Sequence, residues 1–292
     1  MFLFVWLKNQ WQRIYRRFRP IDNGAGPHET RWPSLRFIGV ACNYSGDLQL
    51  HGPILDAQSL QRVVAETKVY HLESSSLLTD QVPGLELRDV FRSRLLKGPG
   101  ADIAIVYFSG HGTQAPSDQV AERDGLDEGL LISAKTFIAD DSFTATMRAS
   151  SELHGTTLIF LDCCHSGGLC DLPFELDADA WRRTSHSIPQ ESTGGLILAL
   201  AACWPQELAY ESTGQEETRG IFTRALEQYL PSSLHGKSSL KTLLAQIQRS
   251  IAEELQPYGL VQSISLRASR PVDLQQSLRQ CSAARSTGSC EA

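Results

Sequence analysis

Short apolar runs alternate with longer amphipathic stretches along the middle of this 292-residue chain. The apolar runs favour buried strands, at residues 36–41, 69–72, 103–108, 157–162 and 196–201. The amphipathic stretches have the apolar spacing of helices, at residues 54–65, 87–96, 142–153, 221–229 and 240–255. Strands that alternate with helices pair through right-handed crossovers. The pattern therefore predicts an α/β fold with a mainly parallel central sheet and helices on both faces.

Breaks in this pattern mark the ends of the folded domain. Residues 20–35 are rich in Pro, Gly and polar residues, a composition that favours a linker. Residues from Gln275 onward are rich in Ser, Ala and Arg, and we expect them to be poorly ordered. We therefore predict an N-terminal segment at 1–34, one folded domain at 35–272 and a disordered tail at 273–292.

The composition is that of a soluble globular protein, with 41% hydrophobic and 21% charged residues. The net charge of −6 argues against nucleic-acid binding, which usually needs a basic face. The seven cysteines form an odd set without regular spacing, and no secretory signal with a cleavage site precedes the domain. These features predict free thiols in a reduced setting, and we expect a cytoplasmic protein.

The first 19 residues combine apolar and basic character. Residues 1–7 are apolar but too few to span a bilayer, and the basic residues that follow precede any acidic one. Such a segment can dock at a membrane surface. It can equally form a helix that packs on its own domain, or a frayed pro-segment. Peripheral membrane contact through residues 1–19 is therefore one of three open hypotheses.

Two predicted strands break abruptly into glycine and reactive polar residues, at 109–112 (Ser-Gly-His-Gly) and at 162–167 (Asp-Cys-Cys-His-Ser-Gly). In an open α/β sheet, functional groups gather at the carboxyl ends of strands. A cysteine nucleophile needs a histidine base within hydrogen-bond reach, and His111 with Cys164 would supply this pair. The glycines would let backbone amides, those of Gly112 and Cys164, point at a developing oxyanion.

Neighbouring residues offer alternatives for both roles. Adjacent residues of an extended chain face opposite sides, so we expect Cys163 to pack in the core and His165 to face away from Cys164. We expect no catalytic role for Cys170. A Cys/His metal site is the weakest alternative, because these residues lack the usual paired ligand spacing.

The two strand-end motifs resemble those of the metacaspases, in which Ser-Gly-His-Gly precedes Asp-x-Cys-His-Ser-Gly. His111 and Cys164 are separated by 164 − 111 = 53 residues, close to the spacing of about 50 in caspases. The resemblance runs from about residue 37 to 226 and includes Asn43-Tyr44. It implies a caspase-like three-layer fold with a large-subunit-like part to about residue 170, a connecting loop at about 171–194 and a small-subunit-like part after it. It also assigns the nucleophile to Cys164, which directly precedes His-Ser-Gly.

A pocket for the substrate residue that precedes the cut is expected beside the catalytic pair. Period-two geometry places Asp162 on the face of Cys164, and Ser109 on the face of His111. A buried carboxylate beside the substrate needs a cationic partner, which a substrate arginine or lysine would provide. The metacaspase resemblance implies a pocket built from Asp56, Ser109 and Asp162. For Asp56, an exposed position in the first turns of a helix is the alternative.

Acidic residues also cluster near the predicted active edge. Calcium prefers about six to eight oxygen ligands, which carboxylates from separate loops can supply. By resemblance, Asp127, Asp140, Asp141 and Asp171 match positions that bind an activating calcium ion in many metacaspases. Asp124 is an alternative to Asp127, and an ordinary solvated acidic surface is the alternative to a calcium site.

The combined hypothesis is a calcium-activated cysteine endopeptidase that cleaves proteins or peptides after Arg or Lys through the pair Cys164 and His111. We expect a monomer that does not bind nucleic acid. Self-cleavage after Arg182 or Arg183, in the predicted connecting loop, belongs to this hypothesis. The alternative is a catalytically silent caspase-fold regulatory or scaffold module that associates with a membrane through its N-terminal residues.

Overall fold

The computed structural model describes residues 32–81, 87–116, 126–133, 136–184, 194–213 and 217–283. The N-terminal segment proposed for membrane contact lies outside these residues, and so do Asp124 and residues 284–292. In the part of the chain that the structure describes, no helix has the length and apolar character needed to cross a membrane.

Five parallel strands form most of a central sheet: β1 (Ser34–Ala41), β2 (His71–Thr79), β3 (Ile103–Ser109), β7 (Thr156–Asp162) and β10 (Leu196–Ala201). Three antiparallel strands complete one edge: β8 (Phe174–Asp177), β9 (Ala180–Arg183) and β13 (Ser265–Ala268). The strand order is β2-β1-β3-β7-β10-β13-β8-β9. Strands β1, β3, β7 and β10 are buried along their whole length, as expected for strands covered on both faces.

The main helices are α1 (Pro53–Glu66), α2 (Leu87–Leu96), α3 (Asp140–Leu153), α4 (Ile221–Leu234), α5 (Leu240–Leu255) and α6 (Leu278–Ala283). Helices α1, α4, α5 and α6 contribute to one hydrophobic core, and α2 and α3 contribute to a second. Alternate residues of β3 divide between these cores, because successive side chains of a strand point to opposite faces. The predicted α/β fold with three layers is therefore confirmed.

Two small sheets lie in the connections around the central one. Strands β4 (Gly112–Pro116), β5 (Leu126–Ser133) and β6 (Thr136–Ala139) form an antiparallel sheet that begins directly after His111. Strands β11 (Glu211–Thr213) and β12 (Thr218–Gly220) pair as a second one, which ends directly before α4. Both sheets thus begin or end beside the predicted catalytic region.

Two edge segments differ from the sequence prediction. The apolar pattern predicts a strand at 69–72, whereas β2 runs over His71–Thr79. Its polar residues lie at the partly exposed edge of the sheet, where an apolar pattern is not required. The prediction of a connecting loop at 171–194 also needs correction. This segment contains β8 and β9, which extend the central sheet at the edge opposite β2.

The predicted disordered tail also needs correction, since its first part is ordered. Residues Leu278 and Cys281 of α6 are buried in the first hydrophobic core. The backbone N–H of Leu278 donates to the hydroxyl of Ser233 on α4. The Ser- and Ala-rich composition hides this helix, because among its described side chains only two apolar ones, those of Leu278 and Cys281, are buried.

Candidate active site

The carboxyl ends of β3 and β7 open into one cavity of about 120 Å³. The two strands are parallel neighbours with Ser109 opposite Asp162, so the residues that follow them emerge side by side. The cavity is lined by all five predicted catalytic and pocket residues, together with other residues of the surrounding loops: Asp56, Ser109, His111, Asp162 and Cys164, with Leu50, Pro53, Gly110, Cys163, Ala209, Tyr210, Glu211 and Gly220. The topology thus brings the predicted residues to one place, and their chemical roles stay predictions.

A main-chain carbonyl orients the imidazole of His111. Its Nε2 lies 2.9 Å from the carbonyl oxygen of Leu48. A carbonyl oxygen only accepts hydrogen bonds, so Nε2 carries the hydrogen and Nδ1 of the neutral ring is the acceptor. The His111 ring also packs against the ring of Tyr44, with centroids 4.9 Å apart. The contacts therefore leave Nδ1 as the nitrogen that can take a proton.

Tyr44 supports His111, and no catalytic motif indicated this role, although Asn43-Tyr44 is among the residues that carry the metacaspase resemblance. Its hydroxyl accepts from the N–H of His111 at 2.9 Å and donates to the carbonyl of Leu131. Burial raises the pKa of Tyr44, so the hydroxyl keeps its hydrogen. A Cβ at Gly110 would lie 2.6 Å from this hydroxyl oxygen, which explains the glycine there.

The thiol of Cys164 is partly buried just after β7. Its Sγ donates to the carbonyl oxygen of Ala209 at 3.8 Å. Burial raises the pKa of Cys164, and the charge of Asp162 adds to this effect. The resting form is therefore the neutral thiol, which needs a base to become a nucleophile. A Cβ at Gly112 would overlap the carbonyl oxygen of Cys164, so glycine is required where the two loops meet.

The neighbours of Cys164 make other contacts. Cys163 borders the cavity, but its buried side chain belongs to the second hydrophobic core, and burial raises its pKa well above the usual value. His165 has left-handed backbone (φ 56°), and its Nδ1 lies 2.6 Å from the carbonyl oxygen of Pro205. These contacts favour Cys164 as nucleophile and His111 as base. The six cysteines within the described ranges are free thiols, as the sequence predicts.

Neutral donors hold the buried carboxylate of Asp162. Its Oδ2 accepts from the N–H and the hydroxyl of Thr223, at 3.3 and 2.5 Å. Because Thr223 gives its hydroxyl hydrogen to Asp162, it accepts from Tyr107 Oη at 2.7 Å. Burial raises the pKa of Asp162 to about 6 despite these hydrogen bonds. Asp162 takes part in none of the ion pairs that the described residues form.

Asp56 has a cationic partner within the chain. Its Oδ1 accepts from Arg219 Nε, and its Oδ2 accepts from the N–H of Gly220 at 2.8 Å. Arg219 Nη2 also bonds Glu227 Oε1 at 2.6 Å. Burial raises the pKa of Asp56 to about 8, and the charge of Asp162 adds to this effect while Arg219 opposes it. Asp56 is fully buried, so the alternative of an exposed helix position does not hold.

Glu211 adds a third carboxylate to the cavity, and no sequence motif indicated it. Its Oε1 accepts from the N–H of Gly52, which precedes α1, at 2.9 Å. Its charge also raises the pKa of Asp162. The two residues of this contact are 159 positions apart, so no local pattern could have indicated it.

The family of caspase domains, peptidase family C14, matches residues 38–281 of this chain. The chain belongs to this family. Metacaspase-4 of Arabidopsis thaliana is 28% identical over 227 residues, which cover 70% of the chain and 54% of that relative. Metacaspase-3 of Trypanosoma cruzi is 26% identical over 293 aligned residues, and the match covers 91% of this chain and 78% of that relative. The metacaspase resemblance is therefore confirmed.

The caspase fold is also found among solved structures. Caspase-1 of Spodoptera frugiperda matches with a TM-score of 0.53 and 15% identity, over 85% of this chain and 94% of that one. At this identity the match concerns the fold alone. The matching part of this chain covers 36% of the length of Metacaspase-7 and 54% of that of Metacaspase-4, both from Arabidopsis thaliana.

The acidic residues predicted to bind calcium in this caspase domain do not form a complete site within the described ranges. Asp140 begins α3, and its Oδ1 accepts from the N–H of Cys170 at 2.9 Å. Burial raises the pKa of Asp140 to about 8, and the charges of Asp171 and Glu128 add to this effect. Asp141 is exposed in the first turn of α3, and the Asp127 side chain lies outside the described residues. No group of three His, Cys, Asp or Glu residues among those described could hold a metal ion.

The residues proposed for self-cleavage lie on edge strand β9 and not in a loop. Arg182 forms an ion pair with Asp177 at 2.8 Å, and the Arg183 guanidinium lies 5.5 Å from the centre of the Phe174 ring. Both partners belong to β8, so these contacts hold the two strands together. Residues 185–193 of the predicted loop lie outside the described residues.

Proposed function

We propose that this caspase domain is a cysteine endopeptidase that cleaves proteins or peptides after Arg or Lys. One observation carries the proposal: a single cavity holds His111, with its Nδ1 as acceptor, the thiol of Cys164 and a group of carboxylates. The first two provide a base and a nucleophile, and the carboxylates provide a site for a cationic side chain.

The proposed reaction begins with transfer of the Cys164 proton to Nδ1 of His111. The thiolate then attacks the scissile carbonyl carbon, while the backbone amides of Gly112 and Cys164 stabilise the oxyanion. The His111 imidazolium gives its proton to the leaving amine, and a thioester to Cys164 remains. Water, deprotonated by His111, hydrolyses the thioester and regenerates the thiol. The Leu48 carbonyl accepts from Nε2 and stabilises the imidazolium.

The preference for Arg or Lys rests on the charge balance of the pocket. Arg219 offsets the charge of Asp56, while Asp162 and Glu211 leave a negative excess in the cavity. An anionic side chain brought to these groups would cost on the order of several kcal/mol. A difference of about 3 kcal/mol corresponds to more than a hundredfold in rate.

Peptides that differ only at the residue before the cut test this proposal. We expect the purified chain to cleave arginine and lysine peptides at least about a hundredfold faster than aspartate peptides. Cys164→Ala should abolish cleavage, and Cys163→Ala, the matched thiol control, should retain most of it. Faster cleavage of aspartate peptides would contradict the pocket assignment, and full activity of Cys164→Ala would contradict the nucleophile.

We also propose that calcium activates the enzyme through the cluster of Asp127, Asp140, Asp141 and Asp171. Hard carboxylate oxygens suit this ion, and Asp140 and Asp171 lie close enough for their charges to interact. Titration calorimetry with calcium on the Cys164→Ala protein measures binding without turnover. We expect binding that Asp140→Asn with Asp141→Asn removes. Unchanged rates in chelator, together with no heat of binding, would contradict the proposal.

A further inference from the structure

A loop between β10 and the cavity surrounds the turn that carries the nucleophile. Residues 203–209, here called the cradle loop, turn main-chain carbonyls toward Cys164 and His165. The carbonyl of Glu207 accepts from the N–H of His165 at 3.3 Å, and that of Ala209 accepts from the Cys164 thiol at 3.8 Å. The Pro205 carbonyl lies 2.6 Å from His165 Nδ1. The position of the thiol therefore depends on the position of this loop.

One buried side chain ties the two ends of the cradle loop together. Gln262 is only 1% exposed and lies in the segment between α5 and β13. Its Oε1 accepts from the N–H of Tyr210 at 3.0 Å, and its Nε2 donates to the carbonyl of Ala202 at 3.0 Å. Ala202 and Tyr210 flank the cradle loop directly. The primary amide is suited to this place because it offers one acceptor and one donor side by side.

The segment that carries Gln262 is itself fixed. Gln248 on α5 donates to the carbonyl of Gln262 at 3.0 Å and accepts from the N–H of Ile264 at 2.9 Å. Glu207 of the cradle loop accepts from the N–H of Ser263 at 2.7 Å. The tether therefore connects the cradle loop to a helix of the main domain. Gln262 does not line the cavity, so it acts through the residues it holds.

We propose that Gln262 is a positioning residue for peptide cleavage, which keeps the Ala209 carbonyl and the cavity wall in register with Cys164. This inference rests on the proposed peptidase function. Loss of the tether leaves Ala202 and Tyr210 with their main-chain hydrogen bonds to Leu161 and Ile221 but without a link to each other. Misplaced groups reduce the rate even when the chemistry of the base and nucleophile is intact.

The experiment compares Gln262→Leu, Gln262→Glu and the control Gln248→Leu. We expect Gln262→Leu to lower kcat/KM for an arginine peptide about tenfold or more. Gln248→Leu removes two hydrogen bonds of the same segment but leaves both side-chain bonds of Gln262 and the bond from Ser263 to Glu207 in place, so its kcat/KM should stay within about threefold of wild type. Equal losses in both leucine variants, or a wild-type rate in folded Gln262→Leu, would overturn the proposal.

Gln262→Glu adds a signature that general destabilisation does not produce. A neutral carboxyl group has an acceptor for Tyr210 and an O–H donor for Ala202, whereas the ionised group has no donor. Burial and the nearby charge of Glu207 raise the pKa of such a carboxyl group. The activity of Gln262→Glu relative to wild type should therefore fall as pH rises, while the ratio for Gln262→Leu stays flat. Parallel profiles for the two variants would overturn the proposal.

Amide exchange separates the tether from the peptidase function. In wild type the N–H of Tyr210 is bonded to Gln262, so we expect Gln262→Leu to exchange this hydrogen at least about tenfold faster by NMR. This measurement needs no turnover. A wild-type protein that cleaves no peptide contradicts the proposed function, whereas an unchanged Tyr210 exchange rate in Gln262→Leu contradicts the tether.

Discussion

The two sides of the active cavity are built differently. On the catalytic side, the side chains of His111 and Cys164 each contact a main-chain carbonyl, those of Leu48 and Ala209. On the pocket side, the carboxylates are buried in networks of side chains that connect separate elements, namely Asp56 with Arg219 and Glu227, and Asp162 with Thr223 and Tyr107. Substitutions on the catalytic side should therefore change the rate and leave stability almost intact, whereas those on the pocket side should change both.

The buried carboxylates of the pocket side also destabilise the folded protein when they are ionised. Burial raises the pKa of both Asp56 and Asp162, so the folded state holds their protons more tightly than the unfolded chain does. The contribution of these groups to stability is therefore largest below their unfolded pKa and falls as pH rises toward about 6 for Asp162 and about 8 for Asp56. The charges that attract a cationic substrate thus reduce the stability of the free enzyme at neutral pH.

The largest expected effect is on the catalytic side. His111→Ala removes the base, and we expect kcat to fall about a thousandfold or more. Its melting temperature should stay within a few degrees of wild type, because the ring makes few side-chain contacts. The matched control is His235→Ala, since the His235 ring also contacts a main-chain carbonyl, that of Pro231, outside the cavity lining. Peptide kinetics and thermal melts of both variants test the assignment. Equal falls in kcat for His111→Ala and His235→Ala would contradict His111 as the base.

Asp162→Asn tests the pocket side. We expect kcat/KM for an arginine peptide to fall about a hundredfold, because a charge-assisted bond to the substrate is lost. A citrulline peptide, which has the same shape without the charge, should lose only a few-fold. Asn keeps an acceptor for Thr223 and removes a buried charge, so the melting temperature at pH 8 should be higher than that of wild type. An unchanged or lower melting temperature at pH 8, or equal losses on both peptides, would contradict the contrast between the two sides.

The contrast between the two sides also explains what the sequence could predict. Strands β3 and β7 are marked by apolar runs, so the residues at their ends could be placed beside each other from the pattern alone. Arg219, Glu211 and Gln262 could not be found in this way. Their contacts to Asp56, Gly52 and Tyr210 join residues 163, 159 and 52 positions apart, and only the folded topology brings them together.

A smaller effect concerns pH and the pocket carboxylates. Asp162 attracts a cationic substrate only when ionised, and Asp56 offsets the charge of Arg219 only when ionised. The preference for arginine over citrulline should therefore rise as pH increases through about 6 and toward about 8. The ionisation of Cys164 affects both peptides equally and cancels in the ratio of their kcat/KM values. We expect the ratio to rise about tenfold or more, since an ionised partner adds about 1.4 kcal/mol or more. A ratio of the two kcat/KM values that stays constant over this pH range would mean that the pocket carboxylates do not determine the specificity.

The smallest effect is expected from Tyr44→Phe. The Tyr44 hydroxyl acts on the catalytic side through the backbone N–H of His111. The substitution keeps the ring that packs on the imidazole but removes the hydroxyl that accepts from the His111 N–H and donates to Leu131. A net hydrogen bond of this kind corresponds to a loss of roughly three- to tenfold in kcat. Tyr70→Phe is the matched control, because the Tyr70 hydroxyl also bonds a main-chain carbonyl, that of Leu234, and does not line the cavity. If both variants lose stability but only Tyr44→Phe loses kcat with KM unchanged, the hydroxyl acts by orienting His111. Equal kinetics for the two variants would mean that Tyr44 supports the fold alone.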